Sequence, residues 1–181
     1  AKRWKEVTGN DLIEGYGMTE ASPVVSANPV GSGQGVQVGT IGIPMPSTTV
    51  RIMGEDGQVK GPNEGRGEIQ VLGPQVMQGY YNRPDETAKT MTEDGLLRTG
   101  DVGILQEDGY FKIVDRLKDM ILVSGFNVYP NEIEDVVAGH PKVLEVAAVG
   151  VPDPKSTEAV KIFVVKKEES LTEDEIRAFC A

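Results

Sequence analysis

One cysteine, Cys180, is all the thiol this 181-residue sequence holds, so it can form no internal disulfide and assemble no thiolate metal site. A single histidine, His140, stands before a proline at a helix end and reads as structural. With its one histidine in that position, the sequence offers no serine–histidine–acid set to propose. Basic residues are also outnumbered, with 18 Lys and Arg against 28 Asp and Glu for a net charge of -10. A chain with that balance has no general grip on phosphate backbones, which excludes nucleic acid as an expected partner. The longest apolar run, Val146 to Val151, is far shorter than the ~20 residues that cross a bilayer. No charged start followed by an apolar segment reads as a secretory leader. These absences together make a soluble, internal protein the expectation, and the lone cysteine is compatible with a reducing compartment.

What is present suffices for a core, at 39% hydrophobic residues, in one large domain or two smaller ones. The opening "AKRWKEVTG" reads as the end of a helix, with Gly9 as its stop. From Thr48 to Val114 the texture is short β-rich runs, "TTVRIM", "GEIQVLG", "VGIL" and "YFKIV". The turns "EDGQ", "EDGL" and "EDGY" between them predict antiparallel hairpins. After "DRLKD" come a strand "MILVS", with Met120 as ordinary core, a loop "GFNVYP" and a helix over "NEIEDVVAGHP". Ile133, Val136 and Val137 fall on one face of that helix, Pro130 suits its first turn and Pro141 ends it. Strands "LEVAAVGV" and "AVKIFVVKK" follow, joined by the polar turn "PDPKST". Thr172 and Glu175 form a capping box for a last helix whose apolar contacts are Ile176 and Phe179. So short a helix is marginal alone, and the sequence reads as cut at both ends.

Four stretches could carry chemistry. In "EGYGMTE" two glycines flank Tyr16, followed by Thr19 and Glu20. Such a loop can stack a planar base on the ring, donate to a phosphate and offer a hard oxygen to Mg²⁺. Taken alone, the stretch is accounted for more simply by a turn with Tyr16 partly buried and Thr19 capping the next segment. In "TGD" Asp101, placed after a glycine turn and before a strand, can accept two ribose hydroxyls or merely shape its turn. In "DRLKD" Arg116 can bind oxygens bidentately or lie in a solvated linker. The loop of "SGFNVYPNEIE" can enter a cleft through Gly125 and Phe126, while Glu132 and Glu134 need do no more than suit a helix dipole.

In order, "EGYGMTE", "GEIQVLGPQVMQGYYNRP", "LLRTGDVG", "GYFKIVDRLKDMILVSGFNVYPNEIE" and "VAAVGVPD" resemble the adenylate-forming, acyl-activating enzymes, most closely bacterial long-chain fatty acid–CoA ligases. The resemblance covers essentially the whole chain. It implies an α+β or α/β architecture: residues 1–115 as the end of a large N-terminal domain with its β-rich subdomain, 116–119 as a hinge, and 120–181 as an incomplete small α/β C-terminal domain. It also implies ATP-dependent activation of a fatty acid to an acyl-adenylate, then thioester formation with CoA. In that scheme Glu14, Gly15, Tyr16, Gly17, Met18, Thr19, Asp101 and Arg116 hold ATP or AMP, with Tyr16 on adenine, Thr19 on phosphate, and Asp101 and Arg116 on ribose. Glu20 holds Mg²⁺, Lys118 is the pivot, and Ser124, Gly125 and Phe126 line the CoA tunnel. "GTIGIPMP", Gly39 to Pro46, borders the acyl site.

The family's phosphate loop and its adenylation lysine have no match here, so the resemblance implies that residues 1–181 alone are inactive. A cytoplasmic location is implied, with room left for peripheral membrane association and a homodimer of the whole protein. An aryl-CoA ligase, a luciferase-like enzyme or a peptide-synthetase adenylation domain would share the same motifs. A non-catalytic nucleotide-binding or self-association module is the alternative of a different class.

Overall fold

Gly9, at φ 72°, stops the short helix α1 (Lys2–Thr8) by donating its amide to the Lys5 carbonyl. The computed structural model describes residues 1–31 and 35–180. These fall into two compact units, Ala1–Val114 and Asp115–Ala181. Among the described residues no helix is long and apolar enough to cross a membrane.

Among its described residues the first unit holds two sheets. Strands β1 (Gly15–Gly17), β2 (Val24–Ala27) and β3 (Ile43–Pro44) form a small antiparallel sheet in that order. Between β1 and β2 the chain makes a single 3₁₀ turn, Thr19–Ala21. Gly17 is required there for space: a Cβ on it would lie 2.0 Å from the Pro23 carbonyl oxygen. The larger sheet contains β4 (Thr49–Met53), β5 (Val59–Lys60) and β6 (Arg66–Leu72), then, after helix α2 (Pro84–Thr90), β7 (Leu97–Leu105) and β8 (Phe111–Arg116). Its order is β5-β4-β6-β7-β8.

The three Glu-Asp-Gly turns close alike, but only two join paired strands as expected, β4 to β5 and β7 to β8, while "EDGL" joins helix α2 to β7 through the single bridge Met91–Leu97. Gly54 and Gln58, Thr92 and Leu96, and Gln106 and Tyr110 each close a turn by an amide-to-carbonyl bond of 2.8–2.9 Å. Alternation along the strands sends Ile52, Ile69, Val71 and Leu97 to one core with Ala21, Val25 and Phe111. Each such fully buried aliphatic side chain contributes about 2 kcal/mol relative to exposure. Helix α2 has Pro84 at its first turn with Asp85 and Glu86 beside it, a start that suits both proline's fixed φ and the helix dipole.

In the second unit β9 (Ile121–Val123) and β10 (Phe126–Val128) precede helix α3 (Pro130–Ala138), then β11 (Val143–Asp153), β12 (Thr157–Lys166) and α4 (Glu173–Cys180). The sheet order is β10-β9-β12-β11, all antiparallel. Val137, Val143, Leu171 and Ile176 make its core, with Ile133 against them. Val136, expected on the same face, is 51% exposed, because a helix this narrow in its apolar stripe turns that position outward. The helix ends at Ala138, short of Pro141. Half of the capping box forms: the Glu175 amide donates to Thr172 Oγ1 at 3.2 Å. The Glu175 carboxylate instead accepts from Lys142 Nζ at 2.8 Å, beside a buried His140 whose ring meets Phe179 edge-on.

"GFNVYP" is not a loop. Phe126, Asn127 and Val128 pair with Val123, Leu122 and Ile121, leaving Ser124 and Gly125 as a two-residue turn at φ 51° and 85°. Positive φ at both central positions gives the twist that a tight hairpin needs.

Candidate functional site

Tyr16 and Asp101, separated by 85 residues, meet directly: the phenol donates to Asp101 Oδ2 at 2.5 Å. Each is brought to that point by an irregularity. Tyr16 sits in β1 where the pairing with β2 slips between Tyr16 and Gly17, at the close approach to Pro23. Asp101 sits inside β7, not in a turn before a strand as its Gly-Asp context predicts. Glu68 pairs with Val102 and Gln70 with Arg98, so Thr99, Gly100 and Asp101 together oppose Ile69 alone.

This bulge explains the three residue types. Thr99 Oγ1 donates to the Ile69 carbonyl at 2.7 Å, replacing the ladder bond that the bulge removes, and accepts from the Asp101 amide at 3.1 Å. Gly100 takes φ 73°, a conformation costly for any residue with a Cβ, and its amide donates to Glu68 Oε1 at 3.2 Å. Asp101 follows, displaced from the regular ladder.

Met18 to Ala21 form the next part of the site. Met18 is half-buried against the core and its amide donates to the Pro23 carbonyl at 2.8 Å. Thr19 is exposed at the start of the 3₁₀ turn. Glu20 Oε1 accepts from the Tyr80 hydroxyl at 2.7 Å, and its carbonyl accepts from the Met77 amide. The Glu20 carboxylate, by that hydrogen bond first and its charge in addition to burial, pushes the Tyr80 phenol above its ordinary value. Tyr80 was not singled out in the sequence. It lies in "QGYYNRP", and nothing local distinguishes its partner.

Glu14 holds the segment from Gly39 onward rather than pointing away from the protein. Its Oε2 accepts from the Gly39 amide at 2.8 Å. Buried Asn28 completes the tie, donating to the Glu14 and Thr40 carbonyls and accepting from the Gln37 amide. Asn28 too escaped the sequence reading, since an asparagine between Ala27 and Pro29 looks like turn chemistry.

Among the described residues no group of three or more His, Cys, Asp or Glu could hold a metal ion. Glu20 offers a carboxylate whose Oε1 alone has a protein donor among the described residues. One hard oxygen of this kind fits Mg²⁺ held mainly by phosphate and water oxygens, and does not fit a cage built wholly of protein ligands.

Arg116, Lys118, Ser124, Gly125 and Phe126 belong to the second unit. Arg116 ends β8 with an exposed side chain, and its amide donates to Asp115 Oδ1. Lys118 is exposed in the single 3₁₀ turn Leu117–Asp119. Ser124 and Gly125 cap the β9–β10 hairpin, the Ser124 amide donating to the Ser156 carbonyl at 2.7 Å, and Phe126 is 75% exposed beside them. Glu134, near the start of α3, does more than suit the dipole: its Oε1 accepts from the Ala148 amide at 2.7 Å.

Comparison with known proteins adds the following. Residues 1–81 match the family model of AMP-binding enzymes, and residues 132–181 match that of the AMP-binding enzyme C-terminal domain. The long-chain-fatty-acid–CoA ligase of Escherichia coli O157:H7 is 55% identical over 99% of this chain, and that of Bacillus subtilis is 46% identical over 98%. The chain spans 31% of the length of each. The crystal structure of ATP-bound MatB from Rhodopseudomonas palustris superposes with a TM-score of 0.87 at 34% identity, over 98% of this chain and 35% of that one.

Proposed function

This chain belongs to the AMP-binding enzyme family, and from that premise we propose that the whole protein is a long-chain fatty acid–CoA ligase. In the first step a fatty carboxylate oxygen attacks the α-phosphorus of ATP, the bond to the β-phosphate oxygen breaks, and pyrophosphate leaves. In the second, the CoA thiolate attacks the acyl carbonyl and AMP departs with the electron pair of the broken C–O bond. The observation that carries this reading is the Tyr16–Asp101 hydrogen bond, which joins the glycine-flanked loop and the bulge into one surface.

On this reading the Tyr16 ring lies against adenine, held in plane by its phenolic bond to Asp101. A carboxylate has about four acceptor sites, so Asp101 can serve the ribose hydroxyls as well as Tyr16. Thr19, exposed at the turn, donates to phosphate, and Glu20 is the protein ligand of Mg²⁺. The bound ion would neutralise charge that develops on the phosphate oxygens. Tyr80 is a positioning residue that fixes one Glu20 oxygen and leaves the carboxylate oriented by two elements rather than by its own rotamers.

Residues 1–115 then belong to the nucleotide-binding domain, 116–119 to a hinge pivoting at Lys118, and 120–181 to the small domain. Arg116 contacts the ribose. The Ser124–Gly125 hairpin tip, with Phe126, lines the CoA path during thioester formation. A hairpin suits that task because β9 is paired with β10 on one side and β12 on the other, and only the tip need approach the ligand.

Asp101→Ala in the whole protein tests the assignment by ATP–pyrophosphate exchange. A rise of tenfold or more, on the order of one lost charged hydrogen bond, is expected in KM for ATP. An unchanged KM refutes the ribose role.

A further inference from the structure

Glu68 lies on the face of β6 opposite the apolar core, and its side chain is only 12% exposed. A carboxylate buried that far needs donors on both oxygens, and it has them. Oε1 accepts from the Gly100 amide at 3.2 Å, while Oε2 accepts from Gln70 Nε2 at 3.1 Å and lies 3.4 Å from Arg98 Nη1. Gln70, 1% exposed, passes the connection on by accepting from Arg51 Nε at 2.9 Å, and Arg51 is gripped by Asp94 through two bonds of 2.7 and 3.3 Å.

The chain of contacts from Asp94 through Arg51 and Gln70 to Glu68 therefore ends on the middle residue of the bulge. Gly100 is the point where the strand leaves its ladder, and its amide would otherwise be an unpaired donor beneath the sheet surface. Gln70 and Glu68 are neighbours of Ile69, the residue the bulge faces. The network thus meets the bulge at Gly100, apart from the Thr99 hydroxyl that ties it to Ile69.

From this geometry we infer that Glu68 is the positioning residue that sets the Asp101 carboxylate, acting through the Gly100 amide. The inference rests on the ribose role of Asp101 proposed above. Its effect is confined to interactions that Asp101 makes. Loss of the Glu68 carboxylate lets the three-residue bulge relax toward a shorter one, which withdraws Asp101 from both Tyr16 and the sugar while the apolar core beneath Ile69 stays packed.

The test compares ATP with 2′,3′-dideoxy-ATP as substrates for pyrophosphate exchange by the whole protein and its Glu68→Ala, Glu68→Gln and Asp101→Ala variants. Glu68→Ala raises KM for ATP about tenfold and KM for the dideoxy analogue by a clearly smaller factor, since both nucleotides feel the loosened Tyr16 ring but only a hydroxyl-bearing sugar loses its bonds to Asp101. Glu68→Gln, whose amide oxygen still accepts from Gly100, retains most of the preference for ATP. A merely structural defect would raise both constants by the same factor, and that result overturns the inference. So does an unaltered ATP preference in Glu68→Ala when Asp101→Ala abolishes it. If Asp101→Ala itself keeps the preference, the ribose assignment fails, and Glu68 is judged by hydrogen exchange of the segment 97–105. Faster exchange there in Glu68→Ala upholds the positioning, and unchanged exchange overturns it.

Discussion

Gly17→Ala isolates the claim that the glycine-flanked tyrosine is a steric requirement. Gly17 is not at positive φ, so the cost of a methyl there is one of space alone. The added Cβ would meet Pro23 oxygen at 2.0 Å, Pro23 carbonyl carbon at 2.7 Å and Val24 Cα at 3.0 Å, all backbone atoms that no rotamer change can move. Restoring ordinary contact takes a separation of about 1.5 Å. That breaks the bond from the Met18 amide to the Pro23 carbonyl at 2.8 Å. Overpacking costs ~1–3 kcal/mol and the lost bond about 1 kcal/mol, for a total of roughly 2–4 kcal/mol. Urea denaturation of the variant, compared at a common m-value, reads this directly. The same displacement carries Tyr16 off Asp101, so ATP-dependent pyrophosphate exchange falls in step. A variant within about 0.5 kcal/mol of the parent, with Tyr16 chemistry intact, refutes the steric reading.

Other outcomes follow from the same geometry. Tyr80→Phe leaves Glu20 Oε1 without its donor and weakens Mg²⁺–ATP use several-fold. In the parent, absorbance titration places the Tyr80 phenol above 10.0, the ordinary tyrosine value, and Glu20→Gln lowers it. Because that pKa is raised, the Tyr80–Glu20 bond is fully present below the ordinary value and is lost only as pH climbs through the raised one. Leu171→Ala, at a side chain 1% exposed, costs about 3 kcal/mol in denaturant, whereas Val136→Ala costs less than about 0.5 kcal/mol. Equal losses would mean that α3 presents a different face. The Lys142 ammonium bonded to Glu175 holds that carboxyl below its ordinary 4.5, so its contribution is present above that value and fades as pH falls through the lowered one. Glu175→Gln removes this acid-side slope, an effect seen at low salt and screened near 1 M; an unchanged acid limb would contradict the pairing.

The elements written in short-range chemistry were legible from sequence. Asp-Gly turns, alternating strands and the Gly9 stop depend on neighbours a few residues apart, and all stand where that chemistry puts them. Helix α2 had the same kind of signal, Pro84 followed by Asp85 and Glu86, but its seven residues carry no apolar stripe to announce a helix. The β9–β10 hairpin was hidden because Ser-Gly is a weaker turn sign than Asn-Gly and three-residue strands give alternation little room.

At the site, the residues could be named because their types suit a nucleotide, yet their partners could not. Tyr16 meets Asp101 across 85 residues and Glu20 meets Tyr80 across 60. Such pairings are products of sheet register, and register is set by the whole sheet. Asp101 looked like a turn residue for the same reason: a bulge is a mismatch between two strands, and only one of them is visible in "TGD". Glu68 and Asn28 act wholly through contacts of this kind, which no spacing rule along the chain records.

The central claim concerns which phosphate bond of ATP breaks. The whole protein, incubated with ATP, Mg²⁺, CoA and palmitate and then quenched, should yield AMP, pyrophosphate and palmitoyl-CoA in equal amounts, with no pyrophosphate formed when the fatty acid is withheld. Release of ADP and orthophosphate, or consumption of ATP without acyl-CoA, would contradict it.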